Sequence, residues 1–410
     1  MDDGAGAPVE GLMIYLDYNA TTPVDARVLE AMLPCLGGAF GNASSIHSAG
    51  QRARAAVDRA RESVAALIGA SPAEIVFTSG GTEADNLALL GLAAARSSQT
   101  KMHAITTAVE HHAVLNACEE LERRGVRVTY VRPGPDGTVD PDDIRRAITP
   151  ETILISVMHA NNEIGTIQGV EEIGRIAAEA DVYFHCDAVQ SAGKLRLDLN
   201  RLGVDLLSLS AHKVYGPKGV GALYVRPGTP LEPLFFGGHH ERDRRPGTEN
   251  VPGIVGLGKA AELARAYLDE DASRISALRD RLEAALLDSI PDARINGGRA
   301  RRVCNTTNIT FAGAGGEALL IALDLEGIAC STGAACSSGS VEPSHVLTAI
   351  GLSDDEARST LRFSLGRETT REEIDAAIKV IPRVVERIRS LSPRTRAVAD
   401  DGRVRTVPVR

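Results

Sequence analysis

The feature that most constrains the fold of this chain is a regular alternation of strand-like and helix-like segments between residues 74 and 226. Alternation of this kind is typical of a mostly parallel sheet covered by helices on both faces. Catalytic groups are then expected outside the carboxyl ends of the strands. The predicted strands cover residues 74–78, 103–107, 126–131, 152–158, 182–185, 205–209 and 220–225.

After residue 252 the pattern changes. Helical stretches at 254–268 and 273–287 precede a strand at 305–311, a helix from Glu317 and a strand at 359–365. A capping box, Thr370-Arg371-Glu372-Glu373, opens the last helix. This order predicts a smaller α+β domain, since 410 residues are too many for one core.

The domain boundary is expected in the helix near residue 260. We therefore predict a large domain at 22–263 and a small domain at 264–392. An N-terminal segment at 1–21 is expected to pack with the small domain, and a tail at 393–410 is expected to be mobile.

Composition excludes several classes of function. The 54 acidic residues outnumber the 45 basic ones, which argues against general binding to nucleic acid or to a membrane surface. No apolar run approaches the roughly 20 residues that span a bilayer, and the acidic start lacks the pattern of a secretory signal. Six cysteines without a Cys-x-x-Cys pair indicate a reducing cytoplasm.

Lys213 is the candidate for covalent attachment of a carbonyl cofactor. It closes the apolar strand Ser208-Leu209-Ser210-Ala211-His212-Lys213, and a neutral amine needs such a desolvated place to form a Schiff base. Of its rivals, Lys194 is predicted to be solvated and Lys218 lies in a turn. Lys213 alone directly ends a strand at the expected edge.

Two further segments suit such a cofactor. Ser79-Gly80-Gly81-Thr82-Glu83 joins a strand to a helix, where free amides and a hydroxyl can hold a phosphate, although many such turns carry glycine for geometry only. Asp187 follows a buried strand, where a carboxylate is costly unless a cation pairs with it. A pyridinium nitrogen is one such cation, and a helix cap or a surface position is an equally open interpretation.

Cys336 is the candidate nucleophile, because the small residues of Gly333-Ala334-Ala335-Cys336-Ser337-Ser338-Gly339 leave its thiol accessible. Arg362 shares a strand face with Ser364 and is a candidate carboxylate clamp, with an ordinary exposed arginine as the alternative. A zinc hydrolase using histidines with Asp187 is an alternative interpretation, but no His-x-x-x-His or His-Glu-x-x-His spacing occurs.

Taken together, these segments resemble the pyridoxal 5'-phosphate (PLP)-dependent cysteine desulfurases of the aminotransferase class V fold. The resemblance runs from Tyr15 to about Ser392. The long segment around Cys336 resembles the group with an extended mobile cysteine loop, which includes the nitrogen-fixation and housekeeping iron–sulfur types. The motifs that carry it include Glu110-His111, Asn161-Asn162-Glu163-Ile164-Gly165, Asp187-Ala188-Val189-Gln190, Gly237-Gly238-His239, Arg245-Pro246-Gly247-Thr248-Glu249 and Cys336-Ser337-Ser338-Gly339-Ser340.

The resemblance implies PLP-dependent transferase fold type I and a set of residue roles. Lys213 would hold PLP, Asp187 would pair with the ring nitrogen, and His111 would stack on the ring and move protons. Gly81 stands where the family usually has alanine. The remaining implied contacts are Asn162 and Gln190 to the ring oxygen; Gly81, Thr82, Ser210, His212 and a second subunit's Thr248 to the phosphate; and Arg362 with Asn162 to the substrate carboxylate.

The implied activity is conversion of L-cysteine to L-alanine with a persulfide formed on Cys336. The implied partners are a second copy of the chain and a sulfur-acceptor protein, either an iron–sulfur scaffold or a thiolation enzyme, and no metal is implied. Alternatives on the same fold are a selenocysteine lyase and a class V aminotransferase. A non-catalytic sulfur-relay or assembly scaffold is the alternative from another class.

Overall fold

A computed structural model describes residues 13–99, 101–332 and 343–391. The strands in these ranges are β1 (Ile14–Tyr15), β2 (Ile75–Thr78), β3 (His103–Thr107), β4 (Arg127–Val131), β5 (Thr152–Ser156), β6 (Tyr183–Asp187), β7 (Leu206–Ser210), β8 (Gly221–Val225), β9 (Ala293–Ile295), β10 (Thr306–Phe311), β11 (Ile328–Ala329) and β12 (Thr360–Ser364). The α-helices are α1 (Ala26–Leu36), α2 (Ser48–Ile68), α3 (Gly81–Asn86), α4 (Leu92–Ala95), α5 (His112–Arg123), α6 (Pro141–Ala147), α7 (Val170–Glu179), α8 (Leu199–Leu202), α9 (Val251–Ser289), α10 (Gly316–Leu325), α11 (His345–Ala349), α12 (Asp354–Arg358) and α13 (Arg371–Leu391). Shorter turns are the 3-10 segments Pro72–Glu74, Ala211–Lys213 and Glu241–Asp243 and the π-helical segment Leu87–Gly91.

The large sheet contains seven of the described strands, in the order β2-β8-β7-β6-β5-β3-β4. Strands β3 to β7 are mutually parallel, and β8 lies antiparallel between β2 and β7. The predicted mostly parallel seven-stranded sheet is therefore confirmed. Its carboxyl edge receives the ends of β6 and β7, which carry Asp187 and Ser210.

Both faces of this sheet are covered, as the strand–helix alternation predicts. Ile75 and Phe77 of β2 pack into a core shared with α2 and the first half of α9. Val76, between them, points into a second core with α5 and the π-helical segment. Because successive side chains on a strand face opposite sides, one strand fills both cores.

Helix α9 connects the two parts of the molecule. The sequence predicts two helices here, but the structure has one continuous helix of 39 residues. Ile254 and Leu257 in its first half belong to the core of the large sheet, whereas Leu278 and Leu282 in its second half belong to a separate core. This change of core supports the domain boundary that we propose at residues 263 and 264.

The second core lies beside a three-stranded antiparallel sheet ordered β12-β10-β9. Strand β1 pairs in parallel with β11, and Leu16 is buried in this same core. The described part of the N-terminal segment thus packs against the C-terminal region. The predicted capping box at α13 is present, since Thr370 Oγ1 accepts from the Glu373 amide at 3.2 Å and Glu373 Oε2 accepts from the Thr370 amide at 2.7 Å.

No helix among the described residues combines the length and apolar character needed to cross a bilayer.

Candidate active site

A cavity of about 410 Å³ opens at the carboxyl edge of the large sheet. Residues from distant parts of the chain line it, because parallel strands end at this common edge. Most of the residues singled out from the sequence are among them. These are Gly81, Thr82, His111, Asn162, Asp187, Gln190, Ser210, His212, Lys213 and Arg362.

Two of the predicted site residues are not in this group. Cys336 lies outside the described residues. Thr248 is exposed and does not line the cavity of its own chain.

Lys213 is held in the cavity by backbone carbonyls of the N-terminal segment. The 3-10 turn Ala211–Lys213 follows β7 and carries the side chain past the sheet edge. Its Nζ donates to the Asn19 oxygen at 2.5 Å and to the Ala20 oxygen at 2.7 Å. The amine is thereby fixed in position by two neutral acceptors.

Asp187 ends β6 and is buried, with 5% of its surface exposed. Its Oδ1 accepts a hydrogen bond from the Val189 amide at 2.9 Å. Burial raises the pKa of Asp187 to about 6, against the opposing effects of that amide and of the Lys213 charge. The carboxylate is therefore ionised at neutral pH and is suited to a cationic partner in the cavity.

Two further carboxyl groups lie near Asp187, and the sequence analysis did not identify either as part of the site. Burial and the nearby Asp187 charge raise the pKa of Asp85 well above its ordinary value. Burial also raises the pKa of Glu110 to about 8. Glu110 is thus protonated at neutral pH and the ionised form of Asp85 is disfavoured, so the negative charge is favoured on Asp187. A sequence signal existed for Asp85, which is three residues after Thr82 and hence on the same helix face.

His185 lies on β6 two residues before Asp187 and is fully buried. Its Nδ1 and Nε2 lie 2.8 Å from Ser156 Oγ and 2.9 Å from Ser208 Oγ, and Nε2 is 3.6 Å from Asp85 Oδ1. Complete burial lowers the pKa of His185 to about 3, so the ring is neutral.

The turn after β2 contributes Gly81 and Thr82 to the lining of the cavity. A Cβ added at Gly81 would lie 2.8 Å from Val189 Cγ2, a distance that requires a shift of one of the two. Glycine at this position therefore lets the turn approach the loop that follows Asp187. The Ser210 hydroxyl and the His212 ring complete this side, and His212 Nδ1 lies 3.2 Å from Thr21 Oγ1. Burial, followed by the charges of Lys213 and Lys218, lowers the pKa of His212 to about 4.

His111 caps helix α5. Its Nδ1 accepts from the Ala113 amide at 3.1 Å, which places the proton of the neutral ring on Nε2. Burial, followed by the charges of Lys213, His112 and His345, lowers the pKa of His111 to about 4. The site thus contains a neutral imidazole at physiological pH.

Arg362 is buried, with 2% of its surface exposed, so the interpretation as an ordinary exposed arginine is wrong. Its Nη1 donates to the Asn162 oxygen at 2.9 Å and its Nη2 to Asp17 Oδ1 at 2.6 Å. Its Nε is buried and finds no acceptor among the described residues. A guanidinium whose Nε–H is still available beside the cavity suits an incoming carboxylate.

The prediction that Lys194 is solvated is wrong. Its side chain is largely enclosed, and Nζ donates to Gln190 Oε1 at 2.8 Å and to the Gln190 oxygen at 3.1 Å. Burial lowers the pKa of Lys194 to about 7. The amphipathic stretch after Lys194 suggested solvent, but the lysine itself lies four residues after Gln190 in a turn that brings the two side chains together.

Asn19 is a further residue at the site for which the sequence predicted no role. Its Nδ2 donates to the Asn162 oxygen at 3.0 Å and to Thr306 Oγ1 at 2.8 Å. Its oxygen accepts from both Lys213 and Gln190. Asn19 therefore links the C-terminal region to the amine in the cavity.

Among the described residues, no three His, Cys, Asp or Glu side chains gather as a metal-binding group.

The chain is similar to known proteins over most of its length. The aminotransferase class-V family model matches residues 14–377. A cysteine desulfurase IscS of Dictyoglomus turgidum is 51% identical over 380 residues, which cover 93% of this chain and 96% of that relative. A solved NifS-like protein has a TM-score of 0.86 at 39% identity, with 92% of this chain and 100% of that chain covered. A structure of SspA in complex with cysteine has a TM-score of 0.77 at 43% identity, with 86% and 98% covered.

Proposed function

Because this chain belongs to the aminotransferase class-V family, we propose that it is a PLP-dependent cysteine desulfurase. It converts L-cysteine to L-alanine and takes the sulfur as a persulfide on Cys336. The observation that carries this proposal is that Lys213, Asp187 and Arg362 line a single cavity. An amine, a buried anion and a carboxylate-binding cation are the groups that an amino-acid substrate and a pyridine aldehyde require together.

The donor set fits PLP on chemical grounds. Asp187 is a buried, ionised carboxylate for a protonated ring nitrogen, and Lys213 supplies the amine for the aldehyde. Thr82 and Ser210 offer hydroxyls for the phosphate, and Gly81 leaves the space that a Cβ would fill. Gln190 and Asn162 offer side-chain amides for the ring oxygen. Bound there, PLP supplies an electron sink for the charge left when the substrate Cα proton is removed.

Lys213 is the proposed proton carrier. Its Nζ, held by the Asn19 and Ala20 carbonyls, would serve as the base that takes the Cα proton of the substrate. The neutral His111, which lines the same cavity, would stack on the ring of bound PLP and could accept a proton there, which an imidazolium could not.

Arg362 is the proposed substrate clamp. Its unpartnered Nε offers one N–H to the substrate carboxylate, and Asn162, whose oxygen it already holds, provides a second polar contact. Fixing the carboxylate fixes the direction in which the Cα proton and the thiol point.

Cys336 is the proposed sulfur acceptor. Its thiolate forms an S–S bond to the substrate sulfur as the substrate C–S bond breaks. The carbon keeps the electron pair and then takes a proton, so that L-cysteine and a thiol give L-alanine and a persulfide. No external oxidant or reductant is needed for this step.

The proposed active unit is a homodimer in which Thr248 reaches the phosphate in the partner subunit's cavity. Thr248 is exposed in its own chain. Helix α1 and the loop after it expose large apolar side chains, Leu33 at 55%, Leu36 at 63% and Phe40 at 80% of their surface. Apolar surface of this kind favours association with a second copy.

The proposed location is the cytoplasm. The protein proposed to receive the sulfur from the Cys336 persulfide is either an iron–sulfur scaffold or another thiolating enzyme. The cysteines that the structure describes are all free thiols, which supports a reducing compartment. We propose no direct binding to nucleic acid or membrane, in line with the net charge of −9.

The decisive experiment compares the wild type with Cys336→Ala, and with Cys304→Ala as the matched thiol control. Both variants should bind PLP and show the visible absorbance and the spectral change on adding L-cysteine. Cys336→Ala should release no sulfide with a reductant present, whereas Cys304→Ala should release it at the wild-type rate.

Sulfide release at the wild-type rate by Cys336→Ala would overturn the assignment of the nucleophile. Formation of a keto acid in place of alanine would indicate an aminotransferase. Turnover of selenocysteine but not of L-cysteine would indicate a selenocysteine lyase. A protein that takes up no PLP would be a scaffold, and stoichiometric zinc by elemental analysis would favour the hydrolase.

A further inference from the structure

Lys194 and Gln190 form a side-chain contact at the edge of the candidate active site. They lie in the turn that follows β6, in which the amides of Ser191 and Ala192 bond back to the Ala188 oxygen. Lys194 Nζ donates to Gln190 Oε1 at 2.8 Å, and also to the Gln190 backbone oxygen at 3.1 Å. Gln190 itself lines the cavity, whereas Lys194 does not.

This contact involves the oxygen end of the Gln190 amide. Lys194 Nζ donates to Gln190 Oε1, which leaves the NH₂ on the other side of the amide. Gln190 Nε2 accordingly donates to the Asn19 oxygen at 3.1 Å. The same Asn19 oxygen accepts from Lys213 Nζ at 2.5 Å, so Nε2 lies next to the reactive amine.

Lys194 also borders a second, smaller cavity. This cavity of about 30 Å³ is lined by apolar groups such as Val214, Ala264 and Leu365 and by polar groups such as Asp271 and Asn305. It lies where the large sheet, α9 and the C-terminal region meet. Burying a lysine here costs free energy unless its amine keeps hydrogen-bond partners such as Gln190.

We propose that Lys194 is a positioning residue that fixes the Gln190 amide with its NH₂ toward the cofactor. This inference rests on the proposed function, because Gln190 acts on the ring oxygen of PLP. An anionic ring oxygen requires an N–H donor, and a flipped amide would present a carbonyl oxygen that repels it. Lys194 touches neither cofactor nor substrate and acts only through Gln190.

The test uses reconstituted dimeric holoenzyme and measures two properties other than turnover. The first is the dissociation constant of PLP, and the second is the midpoint pH of the visible absorbance band. The variants are Lys194→Met, Gln190→Ala and the double variant. Lys194→Arg, which keeps a cationic donor, tests rescue, and Lys259→Met removes a lysine of α9 whose partner is the nearby Glu262.

Lys194→Met and Gln190→Ala should each weaken PLP binding about tenfold and shift the midpoint by about one pH unit upward, the scale of one hydrogen bond to a charged group. The double variant should be no weaker than Gln190→Ala alone. Lys194→Arg should recover most of the loss, and Lys259→Met should match the wild type.

Two results would overturn the proposal. One is an unchanged PLP affinity and midpoint in Lys194→Met. The other is full additivity in the double variant, which means that the lysine acts through its charge or through folding and not through Gln190. If the Met variant does not fold, Lys194→Ala is measured in the same way. Failure of the wild type itself to bind PLP would instead defeat the proposed function, so the two failures are distinguishable.

Discussion

Arg362, which lines the candidate active site, forms an ion pair with Asp17, with Nη2 of the arginine 2.6 Å from Oδ1 of the aspartate. The guanidinium also donates to the Asn162 oxygen, so its plane is fixed from two sides. Because these contacts fix the guanidinium before substrate binds, the Arg362 side chain is already ordered when a substrate carboxylate arrives. Little conformational entropy is then lost when it binds.

Arg362→Lys should weaken L-cysteine binding by about tenfold or more, because a lysine cannot satisfy Asp17, Asn162 and a carboxylate in one plane. PLP absorbance should be unchanged, since Arg362 is assigned to the substrate only. The measurement is a titration of the cofactor spectrum with L-cysteine. A lysine variant with wild-type affinity would remove Arg362 from the substrate site.

Lys213→Ala should abolish the covalent attachment of PLP and all turnover. Reduction with borohydride followed by peptide mass spectrometry should find the cofactor on the peptide that contains Lys213 in the wild type. No adduct should form in the variant. Lys218→Ala, in the neighbouring exposed turn, is the matched control and should retain the adduct. An adduct on a different lysine would contradict the assignment.

Glu110 should make the protein less stable as the pH rises. Its pKa is about 8 in the folded chain and has an ordinary value of 4.5, so the folded state binds more protons than the unfolded state between these values. The free energy of unfolding therefore falls with pH across that window, by more than about 1 kcal/mol in total.

Glu110→Gln should remove this fall, because glutamine keeps an acceptor for the Thr107 hydroxyl and the Met158 amide but does not titrate. Urea unfolding at several pH values between 5 and 8 measures the difference. Glu372→Gln on the exposed face of α13 provides the control. Parallel stability curves for the wild type and Glu110→Gln would show that the carboxyl does not titrate as described.

Arg61 should contribute strongly to stability. It makes two contacts to Glu241, at 2.6 and 2.8 Å, and both side chains are buried. Glu241, Arg242 and Asp243 all have left-handed backbone angles, with φ of 45°, 58° and 65°, so the ion pair holds a strained segment in place.

Arg61→Met should cost about 3–5 kcal/mol, the scale for leaving one buried charge without its partner. The comparison is Arg371→Met, which breaks an exposed 3.8 Å pair with Asp375 and should cost less than about 1 kcal/mol. Chemical denaturation measures the free energy of unfolding of both variants. A cost for Arg61→Met as small as that of the control would mean that Glu241 becomes solvated or protonated instead.

Thr248→Ala should weaken PLP binding in the cavity of the partner subunit and not in the cavity of its own subunit. Mixing it with Lys213→Ala chains produces heterodimers with two different sites. The site that retains Lys213 lies in the Thr248→Ala chain and receives an intact threonine from its partner. It should therefore bind PLP with wild-type affinity, whereas the Thr248→Ala homodimer should bind it more weakly. Equal weakening in both would place the threonine in its own subunit's site.

Much of the architecture follows from local pattern. Apolar runs of strand length between helical segments determine the seven-stranded sheet, because each strand must bury both faces. The same pattern places Asp187 and Lys213 at one edge, since both follow parallel or neighbouring strands that end there. The sequence predicts two helices where α9 is one, because the acidic run Asp269-Glu270-Asp271 interrupts the apolar pattern between the parts that pack in the two cores.

What the sequence by itself determined is the sheet, its active edge and the types of residue at that edge, since these depend on spacing of two or 3.6 residues along the chain. Only the tertiary structure decided that Asp17 pairs with Arg362, that the Asn19 oxygen accepts a hydrogen bond from Lys213, and that Glu110 and Asp85 lie near Asp187. It also reversed the expectation for Lys194. The reason is that such contacts join segments up to hundreds of residues apart, and burial, which sets their charge, exists only after the chain has folded.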